Sequence, residues 1–149
     1  MQSGKYVALL IGVLISVISV TMSGTTLTVW GGWPLLKPIF EQIKSDYERL
    51  HPNASVEIVL MDIREFERKL AVSLPAGMGP DIFITSEYIV PQYVAAGLVA
   101  KPPDHVRAFI EESFDALVKR CNRFVGPGDT EPQFYGVPHI GIARVLFWN

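Results

Sequence analysis

The sequence predicts an α/β fold built on a parallel sheet, preceded by a hydrophobic N-terminal segment. Strand-length apolar or alternating runs recur between segments of helical periodicity, the order in which each strand is followed by a crossover helix. The stretch from Ala71 to Glu87 adds the second observation. An apolar helix tail enters the turn Gly77-Met-Gly-Pro80, and Asp81, a buried-looking Ile82-Phe83-Ile84 and the polar cluster Thr85-Ser86-Glu87 come after it. A short buried strand ending in a polar loop is where open α/β sheets place ligands.

Taken in order, Lys5 precedes an uncharged apolar run from Tyr6 to Met22, with Ser16, Ser19 and Thr21 its clearly polar side chains. This is the pattern of a Sec-type signal, with small residues for cleavage in Thr21-Met-Ser23 and Met22-Ser-Gly24. At 17 residues the run also suits a short membrane anchor. Residues 1–24 are therefore a signal peptide or an anchor, and both readings place everything after about residue 25 outside the cytoplasmic membrane. Ser19 to Thr26 holds no cysteine, which excludes a lipoprotein anchor.

Thr26 to Trp30 alternates and reads as a strand, broken by Gly31-Gly32-Trp33-Pro34. Ile39, Phe40, Ile43, Tyr47 and Leu50 recur at helical spacing, so Leu35 to Leu50 reads as an amphipathic helix ended by His51-Pro52-Asn53. Val56 to Leu60 is a second strand. Asp62 with Glu65 forms a capping signal for a helix burying Ile63, Phe66, Leu70 and Leu74. The third strand, Ile82 to Ile84, is followed by a helix from Pro91 to Ala96 that stops at Gly97. Pro102-Pro103-Asp104 opens a two-piece helical region to about Arg120. Arg123 to Gln133 reads as loop around the turn Gly126-Pro-Gly-Asp129, and Phe134 to Val137 and Arg144 to Trp148 read as further strands.

The bulk numbers exclude several classes. Net charge is −2, and after residue 24 there are 12 basic against 15 acidic side chains, so no nucleic-acid surface is expected. The single cysteine, Cys121, allows no intrachain disulfide and is expected as a small semi-buried side chain at a helix end. His51, His105 and His139 lack metal-ligand spacing, and neither a phosphate loop nor a nucleophile elbow occurs, so neither a metal nor any other cofactor is expected.

Several pieces together resemble a known family. Gly79-Pro80-Asp81-Ile82, a polar loop, and Tyr93-Val94-Ala95-Ala96-Gly97-Leu98-Val99 resemble the extracellular solute-binding proteins of ABC importers, most closely the carbohydrate group typified by maltodextrin-binding protein. Leu27-Thr-Val-Trp30, Phe40 to Pro52, Tyr135-Gly-Val-Pro138 and Leu146-Phe-Trp-Asn149 extend the likeness over nearly everything after residue 25. It implies a periplasmic-binding-protein-like fold of class II. Residues 25–149 would be its N-terminal lobe, incomplete and ending at the first hinge crossing. It further implies a periplasmic or extracellular monomer that captures a sugar between two lobes and delivers it to an ABC permease without covalent chemistry. The binding class also includes proteins for polyamines, metal chelates and peptides. An extracytoplasmic hydrolase and a membrane-anchored sensor domain are the readings outside it.

Candidate ligand-binding residues lie just past the strand ends. Gly31 and Gly32 suit close backbone approach by a ligand and Trp33 offers an indole face to a sugar ring, while a turn with a packed tryptophan accounts for the same residues. Thr85, Ser86, Glu87 and Tyr88 occupy the loop that supplies polar and aromatic contacts in the family; a solvated loop with Thr85 or Ser86 as a helix cap is the other reading. His139 and Gly141 come after the fourth strand, where His139 suits either a ligand contact or a structural role. Ile142 stands where some sugar binders of the family carry an acid, so the likeness does not point to maltodextrin itself. Asp81, before its strand, is expected to hold a turn rather than to act as an acid.

Overall fold

The computed structural model describes residues 24–139. The hydrophobic run Tyr6 to Met22, the predicted strand Arg144 to Trp148 and Gly141 lie outside the described residues. Three strands, β1 (Thr25–Gly31), β2 (Ala54–Leu60) and β3 (Ile82–Ile84), form a parallel sheet in the order β2-β1-β3. The α/β class and the parallel sheet are as the sequence predicts. Trp30, Phe83 and Met61 pack on one side with Phe66, Leu70 and Tyr93. Phe66 and Leu70 are fully buried and Tyr93 nearly so.

Between β1 and β2 runs α1 (Lys37–Leu50), preceded by a single 3-10 turn at Pro34–Leu36. The expected start at Leu35 is displaced because Pro34 opens that tighter turn and Pro38 occupies the first turn of the α-helix, where its missing N–H costs nothing. Helix α1 reaches the edge strand β2 through Lys44 and Glu48. The Lys44 ammonium donates to the Val56 carbonyl and to Glu48 Oε1 (2.7 Å), which also accepts the Val56 N–H at 2.8 Å. The Lys44 bond first, and the Val56 N–H next, hold the Glu48 pKa below its ordinary value. These bonds occupy backbone groups that an edge strand otherwise leaves open. The predicted amphipathic face is only partly covered: Ile39, Ile43 and Leu50 remain exposed.

Helix α2 (Ile63–Ser73) comes after β2, capped by Asp62, whose Oδ1 accepts the Arg64 N–H at 2.9 Å. Gly77 (φ +69°) terminates it, with Gly77 N–H bonded to Leu74 O and Met78 N–H to Ser73 O. Gly97 (φ +69°) ends α3 (Val90–Ala95) by the same pair of bonds, to Val94 and Tyr93. Between these helices β3 is held in register by Asp81. Its Oδ2 accepts both the N–H and the hydroxyl of Thr28 at 2.7 Å, and its own N–H donates to the Thr28 hydroxyl at 3.0 Å. The Thr28 N–H, then the hydroxyl, keep the Asp81 pKa below the usual carboxylate value. Asp81 is thus the structural residue the sequence suggests. Ile82 corrects an expectation: it is 49% exposed, because it pairs with Val29 and points away from the face where Phe83 joins the core.

Helices α4 (Asp104–Ser113) and α5 (Ala116–Cys121) are the two pieces predicted beyond Pro103. Asp115 caps α5 by accepting the Leu117 and Val118 N–H groups. Cys121 ends α5 exposed rather than semi-buried, since Val118 and Asn122 take the inner positions of that turn. The segment beyond α5 also departs from expectation. Arg123–Phe124 (β4) and Gln133–Phe134 (β5) form a two-residue antiparallel ribbon separate from the main sheet. The stretch predicted as loop therefore begins with a strand, and the strand predicted at Phe134 to Val137 is shortened to Gln133–Phe134 and is outside the parallel sheet. The turn at Gly126–Asp129 folds the chain back: Pro127 and Gly128 (φ +82°) hold its central positions and the Asp129 N–H closes on the Gly126 carbonyl at 3.0 Å.

Candidate functional site

The register brings three strand ends to one level, since Gly31 pairs with Leu60 on one side and with Ile84 on the other. The Met61 N–H extends this alignment by bonding Gly31 O at 3.1 Å. The loops after β1, β2 and β3 therefore leave the same edge of the sheet, the edge at which parallel α/β folds bind ligands. His139, from the segment after β5, reaches this edge: its ring lies 6.3 Å from Trp33, tilted by 57°. Desolvation there holds the His139 imidazole pKa below its ordinary value, favouring the neutral ring. Trp33 and His139, 106 positions apart in the chain, are thus neighbours.

Gly31 and Gly32 are buried. A Cβ on Gly32 would stand 2.3 Å from Ile63 Cδ1 and 3.2 Å from Ile63 Cα. The approach of α2 to β1 thus leaves little room for a side chain there, whatever else the loop does. Thr85 leaves β3 with its Oγ1 buried and without a hydrogen-bond partner among the described residues. Ser86 occupies the N-cap position of the 3-10 turn Glu87–Ile89 and makes no capping bond with its side chain. Neither hydroxyl is used as the cap that the alternative reading requires. Glu87 is exposed in that turn. The Tyr88 hydroxyl donates to Glu67 Oε1 at 2.6 Å, while its ring is 65% exposed.

Glu67 was not marked by any sequence signal, because its partner lies 21 positions away on another element. It also raises the pKa of buried Tyr93, after desolvation as the larger cause. Lys69 lies 4.0 Å from the centre of the Trp30 ring, a cation–π contact that roofs the strand end from α2. Asp81 sits at the opposite end of β3 from Thr85. Among the described residues no group of His, Cys, Asp and Glu side chains has the arrangement of a metal site. A depression beside α5 and the β4–β5 ribbon, lined by Lys119, Arg120, Arg123 and Glu131, lies away from this edge. Lys119 and Arg123 are both paired with Glu111 there.

No family model matches the chain. A maltotriose-binding protein of Pyrococcus abyssi is 23% identical over 121 residues, covering 78% of this chain and 25% of the relative. A binding protein of Brucella abortus is 23% identical over 112 residues, covering 75% of this chain and 26% of its own length. The chain spans about a quarter of the length of these curated relatives. In structure, CpMnBP1 solved with mannotriose bound matches with a TM-score of 0.62 at 18% identity, over 76% of this chain and 28% of that one. The chain resembles sugar-binding solute-binding proteins in sequence and has the α/β fold of the matched part of one. Both relatives carry the name of binding proteins.

Proposed function

We propose that residues 25–149 form part of the N-terminal lobe of a two-lobe, extracytoplasmic solute-binding protein that captures a carbohydrate for an ABC permease. The observation that carries this reading is the common edge where three parallel strands end, with Trp33 and His139 in contact and, in the neighbouring loop, the Thr85 hydroxyl without a partner among the described residues. An indole face and neutral hydrogen-bonding groups suit an uncharged polyol, which needs stacking and hydroxyl contacts rather than ion pairs. Glu87 is the one carboxylate among the candidate residues, which argues against a polyamine. Asp81 is committed to Thr28 and faces the other end of the strand, so it does not serve as the acid of a hydrolase at this edge.

A ligand held between two lobes draws about half its contacts from each. Half of a ~−8 kcal/mol micromolar interaction leaves ~−4 kcal/mol, so this chain alone is expected to bind trisaccharides near millimolar strength. Titration of the chain with maltotriose and mannotriose, followed by the Trp33 indole resonance in NMR spectra, is the test. Trp33→Ala should weaken the binding by about tenfold, read from other resonances of the edge loops. Binding of putrescine but of neither sugar would replace the carbohydrate reading with a polyamine one, and binding unchanged in Trp33→Ala would remove the indole from the site.

Export is expected from Lys5 and the apolar run to Met22. Alkaline phosphatase fused after Asn149 is expected to be active in a bacterial host, and an inactive fusion beside an active cytoplasmic reporter would place the domain inside the cell.

A further inference from the structure

The segment that carries His139 to the sheet edge has little to hold it. Gly136 and Val137 are exposed, and among the described residues no backbone hydrogen bond fixes Gly136 to His139. Its nearest buried anchor is Tyr135, 8% exposed, four positions before His139. Tyr135 is in turn held by Asp129, whose side chain is only 4% exposed. One oxygen of Asp129, Oδ2, accepts the Tyr135 hydroxyl at 2.6 Å and the Gly126 N–H at 3.0 Å, and the other pairs with the Lys101 ammonium. Lys101 also stands 5.8 Å from the centre of the Tyr135 ring. Three parts of the chain thus meet on one carboxylate: the linker after α3, the Gly126 turn and the exit of β5.

We infer that Asp129 is a positioning residue for the proposed site: through Tyr135 it sets where the chain emerges toward His139, and so holds the imidazole against Trp33. The inference rests on reading the sheet edge as the ligand site. Four residues in extended conformation span at most about 14 Å, so the place of Tyr135 bounds where His139 can stand, and Pro138 stiffens the last step. The Lys101 bond, followed by the Tyr135 hydroxyl, holds the Asp129 pKa down to about 2, so the carboxylate stays charged wherever the site operates.

The test uses the full chain with Asp129→Asn and, as a milder variant that keeps the ring, Tyr135→Phe. The readout is the titration of the His139 C2 proton by NMR, assigned by its loss in His139→Gln. In the parent the midpoint is expected below the ordinary 6.5, and in both variants it should move up toward that value as the ring leaves Trp33. Trisaccharide affinity should fall by about threefold to tenfold alongside. A lower melting temperature with an unmoved His139 titration would make Asp129 merely structural and overturn the inference. If His139 moves while affinity does not, the hold of Asp129 on His139 stands and His139 leaves the ligand site.

Discussion

Phe66→Ala is expected to lower the unfolding free energy by about 3–5 kcal/mol, a large share of the 5–15 kcal/mol that a domain usually has. Phe66 is fully buried on α2 at the centre of the cluster with Leu70 and Tyr93, and Trp30, Met61, Ile63, Leu74 and Phe83 pack around it. The ring joins α2 to the strands from beneath. It also lies 3.3 Å from the position a Cβ on Gly32 would take, directly below the loop that presents Trp33. Removing it leaves a cavity between a helix and a sheet whose strands are fixed by their own ladder bonds, and such walls close poorly. Urea denaturation followed by far-UV circular dichroism measures the loss. Phe66→Leu, which keeps most of the volume, should cost well under half as much. A loss below about 1 kcal/mol for the alanine variant would mean that α2 collapses onto the sheet and that the core lies elsewhere.

The same cluster shows what the sequence makes legible. Phe66, Leu70 and Leu74 stand at helical spacing behind an aspartate cap, and the structure places all three against the sheet. Strand β1 was readable because Thr26, Thr28 and Trp30 alternate with Leu27 and Val29, and Gly97 ends its helix as left-handed geometry demands. The β4–β5 ribbon was not readable: two-residue strands have no period, and their pairing depends on the turn at Pro127-Gly128. Ile82 and the Ile39, Ile43 and Leu50 stripe misled, because hydrophobicity reports the tendency to be covered and not which neighbour does the covering. At the edge of the sheet, residue types named the candidates, but their convergence depends on register and on long-range contacts. Trp33 with His139 and Tyr88 with Glu67 are pairs that no local pattern encodes. Gly32 is the instructive case, since a glycine that looks made for a ligand is also crowded by Ile63.

Gly126→Ala is the second substitution expected to act strongly, with a loss of about 3 kcal/mol or more, at the upper end of overpacking effects. Gly126 is buried although its conformation is open to any residue. What forbids a side chain is space: a Cβ would stand 2.0 Å from the Tyr135 hydroxyl oxygen, 2.7 Å from Cζ of that ring and 3.3 Å from Val94 Cγ1. The ring cannot simply rotate away, because its hydroxyl is bonded to Asp129 and Lys101 lies over its face. Nor can the turn retreat without breaking the Gly126 N–H bond to the same carboxylate and the Asp129 N–H bond to the Gly126 carbonyl. Either movement leaves a nearly buried carboxylate short of partners, so steric and polar costs add. Thermal melts of Gly126→Ala, Tyr135→Leu and the double variant separate the two. If the clash dominates, the double variant should be more stable than the sum of the single losses predicts, because leucine vacates the position of the ring's outer atoms. Strict additivity would show that the turn and Tyr135 are uncoupled. The route from Asp129 through Tyr135 to His139 would then lose its physical basis.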